Sequence, residues 1–489
     1  MISFNQIPIN LRVPGAYLEM DNTRANRGLP GMPSRILVLG QKLATGTQAA
    51  DTPVKILDVA AAEAAFGRGS MLHLMFKALK AVNTWTETYA IALDDDGAAT
   101  AAAGSVLFGG AVTQAGTVNL YLAGQRVRVG VSVGDTPAVI ATATVAAITA
   151  ATDLPVTAAV NGITPEQVDI TARGKGAAGN DIDIRLNYNF GEALPAGLTA
   201  VLTAMSGGTA NPDLTAAIAA FGDTWYTSIA VPYTDAANLG LLETELSARF
   251  GPMVMMDGRA YSAASGTHAT LTTLGNSRNL EHLSIMYATG SPSAPWTWAA
   301  AYAGVAEYHL NIDPARPLQT LALGMMPPAD ADLFTLEERN LLLFDGISTH
   351  RVDDGGRVLI ERAITTYETN AGGIDDPSYL DVNTLATLAY LRYSVSARIL
   401  SKYPRHKLAN DGTEYGAGQA IITPSVIRAE LIALFKDWEA AGLAEGIDQF
   451  KADLIVERDA VDVNRVNAVI PPDVINQFRV FAGKVQFRL

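Results

Sequence analysis

The period of the apolar positions changes several times along the chain, and those changes divide it. Ile36-Leu37-Val38-Leu39 is a short continuous apolar run, which predicts a buried strand. Phe66-Gly67-Arg68-Gly69-Ser70 then opens a helix that turns Leu72, Met75, Phe76 and Leu79 inward, and Tyr89 to Leu93 reads as strand again. After a long interruption the same rhythm resumes. Strand Ser228 to Val231, helix Ala236 to Phe250, strand Met253 to Met256, a helix through Thr270 to Leu274, strand Leu283 to Met286 and a helix around Trp298 to His309 follow in order. Short apolar runs alternating with amphipathic helices predict a parallel sheet covered on both faces. This α/β domain is expected over 34–93 and 209–346.

Between them, over 94–208, the composition shifts to Ala, Thr, Val and Gly and the period becomes two. Thr117 to Leu122, Arg126 to Val133, Gln167 to Ala172, Ile182 to Tyr188 and Leu198 to Ala204 are predicted strands, with one Ala-rich helix near Ala138 to Thr149. The pattern is that of a β-rich domain inserted into the α/β domain.

A third region is expected over 347–489. It begins with strand Arg357 to Ile364 after the Asp353-Asp354-Gly355-Gly356 turn. From Asp381, an N-cap candidate, Leu385, Leu388, Leu391, Val395 and Ile399 recur at helical spacing, and the helix must stop before Pro404. Thr423-Pro424 starts another helix with Ile427, Leu431, Leu434, Phe435 and Trp438 on one face, ending at Gly442. Beyond Phe450 the pattern returns to strand: Leu454 to Glu457, Val461 to Ile470 and, past Pro471-Pro472, Phe478 to Leu489. Residues 1–33, with Pro8, Pro14, Pro30 and Pro33, read as an extended arm.

Composition narrows the function classes. With 489 residues and 49% hydrophobic residues the chain has material for about three domains with real cores. The absence of cysteine excludes disulfides and thiolate metal sites. A net charge of −14 argues against nucleic acid as a partner, because phosphate affinity comes from Lys and Arg. The opening residues lack an apolar segment behind basic ones, and no apolar stretch is long enough for a bilayer span, so neither secretion by signal peptide nor membrane insertion is expected.

Catalytic patterns occur but fail on context. Gly174-Lys175-Gly176-Ala177-Ala178-Gly179 matches the dinucleotide fingerprint, yet a strand pattern, Ile182 to Leu186, follows where a helix N-terminus is required. Gly130-Val131-Ser132-Val133-Gly134 matches a nucleophile elbow but sits in an alternating strand run. His268, His282, Asp257 and Ser265 form no protease motif, and Asp94-Asp95-Asp96-Gly97 lacks the spaced ligands of a calcium loop. No catalytic residue, cofactor or metal is therefore assigned. Arg398, Lys402, Arg405, His406 and Lys407 gather positive charge in an acidic chain, either to cap the helix dipole or to contact a partner.

The run RVLIERAITTYETN, then SYLDVNTL, YLRYS, KYPRHKLANDGT, GQAIITP and VIRAEL resembles the C-terminal region of phage tail sheath proteins, and more narrowly their Mu-like branch. FGRGSML, LGNSRNLEHLSIM and the Gly179-Asn180-Asp181-Ile182 turn are similar to sheath sequences too. The resemblance implies a subtilisin-like α/β core, an outward-facing β-rich insertion, and an α+β C-terminal domain with extended terminal strands. It implies a non-enzymatic subunit that polymerises with itself, in stacked hexameric rings, around a tail tube. Baseplate and tail terminator proteins are implied as further partners, with the virion tail as location and the host bacterial cytoplasm as the place of assembly. It further implies strands exchanged between subunits, for which Tyr17, Leu18, Val358, Ile360, Phe478, Val480, Val485 and Phe487 are the candidates. Arg398, Lys402, Arg405 and Lys407 become candidates for contact with the tube. A phage-derived contractile bacteriocin would fit the same residues, and an α/β hydrolase or dehydrogenase is the reading from another class.

Overall fold

The structure, a computed structural model, describes residues 13–15, 18, 29–416 and 418–488. Of these, 33–390 with 476–488 form one compact unit, and 391–475 belong with the described residues before 33 to another.

The larger unit starts with β1 (Arg35–Gln41), β2 (Pro53–Lys55), α1 (Val59–Phe66), α2 (Met71–Val82) and β3 (Glu87–Leu93). The Ser70 side chain caps α2 by accepting from the His73 N–H, as the sequence predicts, and Leu72, Met75, Phe76 and Leu79 are buried. The insertion follows: β4 (Ala103–Gly110), β5 (Gly116–Leu122), β6 (Gln125–Val131), α3 (Pro137–Ala150), β7 (Val156–Val160), β8 (Gln167–Ala172), β9 (Ile184–Leu186) and β10 (Leu198–Ser206). It forms two antiparallel sheets, ordered β10-β4-β8-β7 and β6-β5-β9, with α3 packed on β4, β6, β7 and β8. Val106, Phe108, Leu120, Val129, Ile140 and Ile170 are buried in it.

The chain then returns through α4 (Thr215–Ala219), β11 (Ser228–Ala230), α5 (Ala236–Phe250), β12 (Arg259–Ala264), α6 (His268–Asn276), β13 (Leu283–Tyr287), α7 (Pro295–Ile312), α8 (Leu336–Phe344), β14 (Ile347–Val352) and β15 (Val358–Arg362). One eight-stranded sheet results, ordered β15-β14-β13-β12-β11-β1-β3-β2, parallel from β14 to β3 with an antiparallel strand at each edge. The strand order reverses between β11 and β1, the mark of a doubly wound α/β sheet. Helices α2 and α7 pack together on one face. Glu307 of α7 is buried and accepts from Ser34 Oγ (2.7 Å), Thr227 Oγ1 (2.6 Å), Ser228 Oγ (2.5 Å) and Arg259 Nη2 (3.1 Å). One fully satisfied carboxylate thus ties α7 to the start of three strands, which makes the buried charge tolerable.

Two expectations are corrected here. Met253 to Met256 is not a strand: Met253, Val254 and Met255 are exposed, Met255 has φ of 54°, and the sheet instead takes the less apolar Arg259–Ala264. The division placed at 346/347 falls inside the large sheet, because β14 pairs with β13 and β15 with β14.

Helix α9 (Val382–Lys402) begins in the larger unit, where Val382, Leu385, Ala386 and Ala389 are buried. The smaller unit adds β16 (Lys407–Leu408), β17 (Ile421–Ile422), α10 (Pro424–Ala440), β18 (Ala444–Glu445), α11 (Ile447–Asp453), β19 (Ile455–Arg458), β20 (Val466–Val469) and β21 (Asp473–Val474). Its core is built on Leu431, Leu434, Phe435, Trp438 and Phe450, with the Phe435 and Phe450 rings stacked at 4.2 Å and Trp438 Nε1 donating to Ser394 Oγ at 2.9 Å. Gly442 ends the helical stretch at φ of 70°, a conformation that suits glycine.

Candidate functional site

The motifs with catalytic form lie in structural roles. Gly174 and Lys175 sit at the end of β1, where Gln41 Nε2 donates to Asp95 Oδ1 (2.6 Å) and to the Lys175 carbonyl (2.5 Å). Lys175 N–H donates to Asp95 Oδ2 at 3.1 Å. Doubly wound sheets bind ligands at this reversal of strand order. Here the insertion's loop fills it, leaving a cavity of about 30 Å³ lined by Gln41, Gly174, Gly179 and Trp296 among others. A 3₁₀ turn and then β9 follow the glycines, so no helix N-terminus faces a phosphate. Ser132 lies in the turn just past β6, with its N–H bonded to Asp135 Oδ2 at 2.6 Å, rather than inside the strand. His268 Nε2 is 3.1 Å from the Glu338 carbonyl, while buried His282 packs on Phe250. Among the described residues no three His, Cys, Asp or Glu side chains gather as a metal site.

The basic cluster divides in two. Arg398 is paired with Glu430 at 3.2 Å and with Asp437, and Lys402 with Glu430 at 2.6 Å. Burial pushes the Glu430 carboxyl up, but the Lys402 hydrogen bond and charge, with Tyr403 and Arg398, outweigh it and hold it below the usual carboxylate range. Arg398 and Lys402 therefore fasten α9 to α10, which explains them without a partner. Arg405 is exposed, and Lys407 donates to the neutral Gln419 at 2.9 Å. These two keep their positive charge at the surface.

The candidates for strand exchange also separate. Tyr17 lies outside the described residues, and Leu18 is exposed. Val358 and Ile360 are buried, and the outer edge of β15 is already occupied: Thr320 N–H donates to the Ile360 carbonyl (2.8 Å), Ile360 N–H to Leu321 (2.9 Å) and Leu323 N–H to Val358 (3.0 Å). The final strand expected from Phe478 is not formed: residues 476–488 join no sheet. Phe478, Val480, Phe481, Val485 and Phe487 are all exposed. Arg479 turns inward, to Asp381 Oδ1 at 2.9 Å. In the smaller unit, β19 and β20 pair with each other and with no further strand among the described residues, and the cross-strand pair Ile455 and Val469 is more than half exposed. Both strands are legible in the sequence, whereas the lack of a further strand beside them among the described residues is seen only in the fold.

Neither a reaction centre nor a ligand crevice emerges from these contacts, whereas unpaired edges and an unpaired apolar terminal segment do. Residues 207–366 match the phage tail sheath protein central domain, and residues 375–488 match the phage tail sheath C-terminal domain. The chain belongs to the phage tail sheath family, whose members are structural proteins and not enzymes. Within it, the chain is 46% identical over 488 residues to the Mu-like prophage FluMu tail sheath protein of Haemophilus influenzae, covering 100% of both. Among solved structures, the sheath tail protein of Desulfitobacterium hafniense superposes with a TM-score of 0.48 at 13% identity, over 94% of this chain and 100% of that one. That of Listeria innocua gives 0.49 at 11% identity, over 92% and 94%.

Proposed function

We propose that this sheath subunit polymerises helically around a tail tube, with each terminal segment paired to a neighbour, and contracts to drive the tube through the host envelope. What supports it is the coexistence, among the described residues of one chain, of an apolar segment over 476–488 that joins no sheet and a hairpin with no further strand beside it. A heterologous contact of this kind extends into a filament when its rotation does not close. Each main-chain hydrogen bond gained by strand addition contributes roughly 1 kcal/mol net, so a few pairs tether subunits while their packing faces change. Contraction then draws on the difference between two packings, and no nucleotide is required. The hairpin β19–β20 is the acceptor in this reading, in place of β15. Baseplate and terminator proteins would cap the polymer. The subtilisin-like character expected of the core is a finer statement of the same reading, supported by a parallel sheet with packed helices, an arrangement common to many α/β proteins.

Negative-stain electron microscopy of the full chain beside one truncated before Phe478 tests the assembly. Tubes or rings from the first that are lost or shortened in the second are expected; uniform small particles from both overturn it. For the tube, Arg405 and Lys407 replace Arg398 and Lys402 as the charges to reverse, because the latter pair is held within the fold. Arg405→Glu with Lys407→Glu is expected to cut cosedimentation with tail tubes severalfold at low salt. Unchanged cosedimentation would place the contact elsewhere.

A further inference from the structure

Over residues 476–488 the chain pairs with no strand and its apolar side chains face solvent, yet it is fastened at one point. The Arg479 side chain is 14% exposed, between Phe478 at 72% and Val480 at 80%. Its Nη2 donates to Asp381 Oδ1 at 2.9 Å and to Gln477 Oε1, and its Nη1 to Gln319 Oε1 at 3.4 Å. Asp381 stands at the start of α9 and is already engaged: Arg362 donates to its Oδ1 at 3.1 Å and to its Oδ2 at 2.9 Å. Gln319 precedes the segment that covers β15. Apart from Gln477 on the arm itself, the anchoring groups Asp381 and Gln319 lie beside β15 at the rim of the large sheet.

We propose that Arg479 is the positioning residue of the terminal arm: it fixes the point at which the chain leaves its own subunit, so that the exchanged strand begins at Val480 and Phe478 stays behind. The inference rests on the strand-exchange reading above. Its physical content is a length. An extended chain advances about 3.3 Å per residue, so the described residues 480–488 reach about 30 Å from the anchor. Slack between Val474, where β21 ends, and Arg479 adds nothing to that reach while the ion pair holds. A subunit lattice that must keep its neighbours in register needs such a fixed origin, because a sliding one lets the exchanged strand slip by a residue and turn its apolar side chains to the wrong face.

Asp381 remains paired to Arg362 when Arg479 is removed, so Arg479→Ala is not expected to unfold the subunit. Three-residue Gly-Ser-Gly insertions placed on either side of the anchor give the test. One goes between Asn476 and Gln477, the other between Ala482 and Gly483, and each adds about 10 Å of chain. The upstream insertion is expected to give tubes with the wild-type helical spacing, and the downstream one to broaden or destroy that spacing. In the Arg479→Ala background the two insertions are expected to behave alike, and Arg479→Lys is expected to restore part of the difference. Equal effects of the two insertions with Arg479 intact overturn the anchor while leaving strand exchange standing. Tubes that survive truncation before Phe478 remove the reading on which it rests.

Discussion

At β15 the eight-stranded sheet ends under cover, whereas the two-stranded sheet of β19 and β20 has no further strand beside it among the described residues. The cover on β15 is supplied by residues 320–323 of the same unit, whose backbone groups take up the outer edge. Reaching that register puts Thr320 at φ of 69°, a left-handed conformation that costs a β-branched residue roughly 1–2 kcal/mol. The far edge of the sheet is blunted differently, by a three-residue strand that carries Pro53. Among the described residues the hairpin has neither protection, and a two-stranded ribbon is marginal by itself. Strain is accepted where an open edge would be a liability. An edge without a partner among the described residues is the place where the proposed exchange would add a strand.

The comparison breaks most easily at the hairpin. Ile455 and Val469 face each other across its two strands and are more than half exposed. Ile455→Lys with Val469→Glu keeps an attractive cross-strand pair, so the isolated subunit is expected to keep its stability within about 0.5 kcal/mol. An added strand would have to cover that charged face, and tube formation is expected to be abolished or reduced at least tenfold in sedimentation assays. Wild-type tubes from this double variant would mean that the open edges of β19 and β20 serve no exchange.

Most elements with a clean period are legible in the sequence. Helix α5 occupies the predicted Ala236 to Phe250, and β8 the predicted Gln167 to Ala172. Misreadings arise where the deciding partner is distant. Met253 to Met256 is more apolar than Arg259–Ala264, but the sheet is completed by the latter, whose Arg259 finds Glu307 48 residues away. Strands β4 and β7 were hidden by Gly and Ala, which carry little period, and exist because each pairs with β8. The cationic cluster was visible as a run of charge, yet Arg398 and Lys402 are settled by Glu430 and Asp437 on the next helix. Nothing local marks Arg479 as different from Lys484 or Arg488; only the fold brings Asp381 to it, 98 residues back.

His350 lies on β14, the strand beside β15, fully buried between Tyr287 and Trp298 at ring separations of 4.1 and 4.8 Å. Its Nδ1 is 3.2 Å from the Tyr287 carbonyl, which can only accept, so the ring carries its proton there, and Nε2 is left buried without a partner. Burial drives the pKa down to about 3, against about 6.5 in an unfolded chain, and the Tyr287 carbonyl opposes the shift only in part. Because the folded value is depressed, the unfolded chain binds the extra proton over this range. The stability tied to the neutral ring is complete above about pH 6.5 and is lost as the pH falls towards 3. At pH 4 the loss is roughly 3 kcal/mol. His350→Phe, close in volume and unable to titrate, is expected to gain about that much on the wild type between pH 7 and pH 4 in urea unfolding of the unassembled subunit. Hydrogen exchange should locate the wild-type loss in β13, β14 and β15, where the covered edge belongs to one cooperative core, and leave β19 and β20 at the lower protection expected of a two-stranded ribbon with α10 packed against β19. Parallel pH dependence in the two proteins would remove His350 as the titrating group, and an equal loss in the hairpin would show that the two edges do not differ in stability as their hydrogen bonding requires.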